Sequence, residues 1–98
     1  MTKMCFQIYN EYKLKKDGLN LQYINNQNIR LCYIAINQNF KSIQYVNKQQ
    51  FSINEYFNLC KYAIDKNIES LNYIQNPTID IYKYVLAKNI KYLKVINI

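Results

Sequence analysis

The strongest constraint on this chain is a block of eight residues that occurs four times. DGLNLQYI (residues 17–24), NFKSIQYV (39–46), NIESLNYI (67–74) and NIKYLKVI (89–96) align without gaps. Their first residues lie 22, 28 and 22 positions apart, which gives a period of about 22 residues with one insertion of six. Units this short cannot each bury an apolar face, so a core forms only where neighbouring units stack. The columns of the alignment meet that need. Three residues before each block stands Leu14, Ile36, Ile64 or Leu86, and eight before it Tyr9, Leu31, Leu59 or Ile81. Four residues after the block start comes Leu21, Ile43, Leu71 or Leu93, and seven after it Ile24, Val46, Ile74 or Ile96. The expectation is that Ile36, Ile64 and Leu86 face one interior, that Leu21, Ile43, Leu71 and Leu93 line its neighbouring wall, and that Lys66 lies on the solvated side.

Upstream of each block the apolar residues recur at three- and four-residue steps, as in Ile29, Cys32, Ile36 and in Phe57, Cys60, Ile64, which is the spacing of a helix face. Ser52 and Glu55 form an S-x-x-E capping box, and Asn28 and Thr78 are candidate N-caps. Pro77 stops any preceding helix. The Asp or Asn that starts each block, or Gly18 just after the first, suits the left-handed turn that ends a helix. The block itself then makes a second, shorter helix of about two turns. The six inserted residues fall in KQQFSINEYF (48–57) and lengthen the third long helix and the loop before it. A single Gly and a single Pro argue against an all-β fold, which needs frequent turns. The sequence thus predicts an all-α single domain over residues 1–98, a short solenoid of about four helix-turn-helix repeats at 6–27, 28–49, 50–77 and 78–98.

One competing fold stays open. Ile68-x-x-Leu71-x-Tyr73-x-x-Asn76 fits the leucine-rich repeat pattern, for which 22 residues is an allowed period. Asn26 and Asn76 fill its asparagine column in the first and third repeats, but Lys48 takes that place in the second. In that α/β solenoid the blocks would be strands.

The units N-x-x-x-L-Q-Y-V, preceded by C-x-x-A-I-x-x-N, resemble the short repeats of the domain of unknown function 4116 family, arrays of which occur in giant DNA viruses and some microbes. The resemblance spans roughly residues 9–96, is carried by 17–24, 32–46 and 60–74, and fades in the last repeat, where Val95 replaces Tyr. It implies a helical fold, implies nothing definite about activity, and if viral places the protein in the host cytoplasm or the virion interior.

The chain contains no histidine, which removes Ser-His-Asp and Cys-His catalysis and the commonest metal ligand. A glycine-rich phosphate loop cannot be built with one glycine. Glu11, Asp17, Glu55, Asp65, Glu69 and Asp80 show no acid/base pairing apart from the repeat spacing. Cys5, Cys32 and Cys60 are odd in number and widely spaced, unlike a disulfide framework or zinc site, and read as small hydrophobes in a reducing compartment. The N-terminal MTKMCFQIYNEYK has no secretory apolar core, and no stretch approaches the roughly 18 apolar residues of a membrane span. The reading is a cytoplasmic protein with no catalytic centre, no cofactor and no small-molecule substrate.

What remains is surface. Tyr23, Tyr45 and Tyr73 share a column that could form a contact ridge, and Phe6, Ile8, Val95, Ile96 and Ile98 leave both ends apolar where a stable repeat stack usually has polar caps. These residues point to a protein partner or a homo-oligomer. The net charge of +7 supports a second candidate, nucleic acid, with Lys83, Lys88, Lys91 and Lys94 for phosphates and Tyr82, Tyr84 or Tyr92 for base stacking. Against it, the Lys, Asn, Ile and Tyr bias looks like A+T-rich coding, Arg30 alone can make bidentate contacts, and Gln38 and Glu69 interrupt the lysine columns.

Overall fold

The computed structural model describes the backbone of residues 3–96 and the side chains of residues 5–88. Four α-helices, α1 (Lys3–Lys16), α2 (Ile29–Gln38), α3 (Ile53–Lys66) and α4 (Ile79–Ile96), are joined through 3₁₀ helices η1 (Gly18–Tyr23), η2 (Phe40–Tyr45), η3 (Lys48–Gln50) and η4 (Ile68–Tyr73). The protein is all-helical among the described residues, and the blocks that a leucine-rich repeat would make strands are 3₁₀ helices.

The expected helix starts are present. Ser52 Oγ accepts from the Glu55 amide at 3.1 Å while the Glu55 carboxylate accepts from the Ser52 amide at 2.9 Å, closing the capping box of α3. Asn28 Oδ1 accepts from the Leu31 amide, and Thr78 Oγ1 from that of Ile81. The helix ends differ from expectation. Asp17, Asn39 and Asn67 are not left-handed but extended, with φ of −152°, −153° and −162°. Each donates its amide to the carbonyl four residues back, on Lys13, Ala35 or Ala63. Each then caps the following 3₁₀ helix by accepting from the amide of Leu19, Lys41 or Glu69. Three residues further on, Asn20, Ser42 or Ser70 folds back and donates to that same Lys13, Ala35 or Ala63 carbonyl, at 3.3, 3.2 and 2.7 Å. One carbonyl, with two lone pairs, therefore holds both sides of each break. Ser42 and Ser70 are wholly buried yet fully satisfied by this bond.

The apolar residues of the blocks stand three apart, a spacing that a 3₁₀ helix suits but that does not by itself decide between 3₁₀ and α, since Leu93 and Ile96 keep it within α4. With three residues per turn, Leu21 and Ile24, Ile43 and Val46, and Leu71 and Ile74 align on one edge. The fourth block departs altogether: α4 runs unbroken from Ile79 to Ile96. Asn89 keeps the cap residue there, but Tyr92 occupies the column of Asn20, Ser42 and Ser70, so the short side chain that locks each break is missing and the helix continues.

Each α-helix packs on the next, α1 on α2, α2 on α3 and α3 on α4, while η1 packs on η2 and η2 on η4. The apolar seam between these layers holds Leu14, Leu21, Leu31, Ile36, Ile43, Leu59 and Ile64, all at most 2 % exposed. The result is a slab of 59 × 25 × 16 Å. The insertion divides as expected between loop and helix, since α3 has 14 residues to the 10 of α2 and η3 lies in the loop before it. That loop is tied to its neighbour by side-chain amides: Gln27 donates to the Tyr45 carbonyl at 2.8 Å and accepts from the Asn47 amide, while Gln50 accepts from the Gln27 amide and donates to the Asn25 carbonyl.

Gly18 is required by packing. A Cβ there would lie 2.3 Å from the Ala35 carbonyl oxygen and 2.8 Å from Ser42 Oγ, so η1 approaches α2 more closely than any side chain allows.

Candidate functional site

The internal joints between helices repeat a polar motif. On α3, Tyr62 and Lys66 both donate to Asn37 Oδ1 of α2, the hydroxyl at 3.2 Å. One unit on, Tyr84 donates to Asp65 Oδ1 of α3 at 2.6 Å and Lys88 pairs with it at 2.7 Å. In sequence, the donors stand five and one residues before the block, and the acceptor two before it on the preceding helix. Each lysine also lies over the ring of its own tyrosine, Lys66 5.2 Å from that of Tyr62 and Lys88 5.5 Å from that of Tyr84. Packing of Asp65 against neighbouring groups pushes its carboxyl up, but the bonds from Lys88 and Tyr84 and the charge of Lys61 outweigh this and hold it below the usual carboxylate range. The α1–α2 joint is built differently, by Arg30 on Glu11 at 3.0 Å and Asn28 on Gln7 at 2.8 Å. The Arg30 guanidinium lowers the Glu11 carboxyl.

The outer faces of the end helices depart from these columns. Leu31, Leu59 and Ile81, which pack toward the preceding helix, are at most 2 % exposed, whereas their α1 equivalent Tyr9 is 57 % exposed. At the other end Leu14, Ile36 and Ile64 are at most 2 % exposed, but Leu86 is 59 % exposed. The expectation that Leu86 faces the common interior is therefore corrected. Because α4 runs unbroken through the fourth block, among the described residues no 3₁₀ helix folds back over Leu86, and Ile79 and Tyr82 lie exposed on the same helix. Leu93, in the last block, lies outside the described side chains.

The tyrosine column does not form a uniform ridge. Tyr45 and Tyr73 pack partly buried against the core, with Tyr73 edge-on to Phe40, while Tyr23 is 73 % exposed. Tyr23 borders a groove of ≈ 690 Å³ between α1 and the loop before α2, lined also by Phe6, Ile24 and Gln27. A second groove of ≈ 410 Å³ lies between the start of α3 and that of α4, lined by Phe51, Ile53, Phe57, Asp80 and Ile81. Of the candidate lysines, Lys83 is exposed and Lys88 is bound into the joint with Asp65. The side chains of Lys91, Lys94 and Val95, and all of Ile98, lie outside the described residues. Cys32 and Cys60 are buried as expected, and desolvation pushes their thiols up to about 12 and about 11, away from thiolate reactivity.

Sequence reasoning missed the joint motif. Its readable part is Tyr-x-x-x-Lys, present as Tyr9–Lys13, Tyr12–Lys16, Tyr62–Lys66 and Tyr84–Lys88, the spacing that brings two side chains together on a helix. Among the described residues no helix is long and apolar enough to cross a membrane, and no three His, Cys, Asp or Glu side chains gather as a metal site. No family model, curated protein or solved structure matches this chain.

Proposed function

We propose that the chain is a protein-interaction module, a short solenoid of stacked α/3₁₀ units whose end helices dock helices of other polypeptides, copies of itself included. Its placement among the repeat arrays of the domain of unknown function 4116 family belongs to the same proposal. The reading rests above all on Leu86, which is 59 % exposed in a column that is otherwise sealed. With Ile79 and Tyr82 it leaves α4 an apolar stripe at i, i+3 and i+7, the pattern by which helices are recognised in grooves and bundles. Nucleic acid is the weaker reading, because Lys88 is engaged by Asp65 and several lysines lie over tyrosine rings of their own helix.

Leu86→Lys tests the proposal. The substitution sits on an exposed face and should change thermal stability by less than about 0.5 kcal/mol. Sedimentation of the parent chain should show association that grows across micromolar concentrations, and the Leu86→Lys chain should stay monomeric. A parent that is monomeric throughout that range and brings no protein with it on purification from its native source would overturn the reading.

A further inference from the structure

We infer that the outer face of α1 is a docking site for a helix that carries a carboxylate or carboxamide, and that Tyr12 and Lys16 are the pair that reads it. The inference deepens the proposed function by naming the partner's chemistry. Tyr12 and Lys16 stand five and one residues before their block, in the columns of Tyr62 and Lys66 and of Tyr84 and Lys88. They also share the geometry of those pairs, with the Lys16 ammonium 4.8 Å from the centre of the Tyr12 ring. Helix α1 ends on the same double-accepting carbonyl as α2 and α3, so these columns point away from α2. Tyr12 and Lys16 accordingly face solvent.

Donors and acceptors go together along the chain. Where a helix has the Tyr/Lys pair, as α3 and α4 do, the helix before it supplies Asn37 or Asp65. Where the pair is absent, as on α2 with Ile34 and Gln38, the preceding helix has Lys15 in the acceptor column, a residue that cannot accept. A Tyr/Lys pair on α1 thus implies an acceptor on whatever helix covers it. The exposed Tyr9 beside it occupies a column that is buried at the other joints, which supplies the apolar half of the same interface. Helix α4 has Ala87 in the acceptor column, so α4 of a second copy lacks the group, and the occupant is a helix of another unit with Asp or Asn at that position.

The missing acceptor can be supplied. Ala87→Asp, on the exposed side of α4, turns the chain into its own probe: Asp at 87 should meet Tyr12 and Lys16 of a second copy. Sedimentation equilibrium at low salt should show self-association about tenfold tighter than that of the parent, the size expected of a hydrogen bond to a charged group. The gain should shrink with added salt and vanish in the Ala87→Asp, Lys16→Glu chain, with circular dichroism confirming that both variants fold. Combining Lys16→Glu with Ala87→Lys should restore the gain. Association unchanged by Ala87→Asp, or a gain indifferent to Lys16→Glu, overturns the inference. Neither result touches the proposed function, which fails instead through the Leu86→Lys comparison.

Discussion

Ile64→Asp is expected to leave the chain largely unfolded or aggregated. Ile64 is 2 % exposed in the middle of the seam, on the helix that packs against both α2 and α4. A carboxylate there has no partner, and burying it costs several kcal/mol by desolvation in addition to the lost apolar packing. A domain of this size has about 5 to 10 kcal/mol in all. Burial raises the pKa of such a carboxyl in the folded state above its unfolded value, so the folded state binds the proton more readily and the deficit should narrow as pH falls. The comparison is Lys66→Asp. Lys66 is exposed as the sequence predicts, though bound to Asn37, and its loss should cost no more than about 1 kcal/mol. Thermal melts of both variants decide the point: an Ile64→Asp chain that melts like the parent would show that the columns do not face one interior.

Gly18→Val is expected to be the second most damaging single change, with a loss of about 3 kcal/mol or more. The atoms in the way belong to the Ala35 backbone carbonyl, which already accepts from the Asn39 amide and from Ser42 Oγ. A flexible side chain could swing aside, but this carbonyl cannot move without giving up the lock between α2 and η2. Overpacking a fixed site commonly costs 1 to 3 kcal/mol, and here two hydrogen bonds are at stake besides. Urea unfolding gives the measure, through a lower midpoint with an unchanged slope. A Gly18→Val chain within about 0.5 kcal/mol of the parent would mean that η1 and α2 are not in that close contact.

The all-helical class, the α-helix starts at Asn28, Ser52 and Thr78, and the division of the insertion could be read from the sequence because they depend on local spacing and on side chains that bond within one turn. The 3₁₀ geometry of the blocks was not legible, because the three-residue step from Leu21 to Ile24 and from Ile43 to Val46 recurs from Leu93 to Ile96 within α4. The extended conformation of Asn39 and Asn67 was not either, since the choice between a left-handed and an extended turn hangs on the Ser42 and Ser70 hydroxyls reaching seven residues back. Leu86 was misplaced because column reasoning carried the break of the first three units into the fourth, where α4 runs on to Ile96 instead. The polar joints escaped for a different reason: Tyr62 and Lys66 lie on α3 and Asn37 on α2, and only stacking shows which donors meet which acceptor.

The extra length of α3 has a consequence for how chains of this kind can vary. The four residues by which α3 exceeds α2 lie at its N-terminal end, upstream of Leu59, Ile64 and Lys66, so those three keep the offsets from the following break that set their bearings toward the neighbouring helices. A helix advances about 100° per residue, so two residues inserted instead between Leu59 and Ile64 would turn one apolar column about 200° against the other and aim one of them at water. Length changes are thus accommodated at the helix starts and in the loops before them, as the first turn of α3, η3 and Phe51 accommodate the insertion here. The added turn also carries Ile53 clear of its neighbours, 87 % exposed at the rim of the groove beside α4. New binding surface can therefore be acquired at the mouth of one unit while the stack behind it stays unaltered.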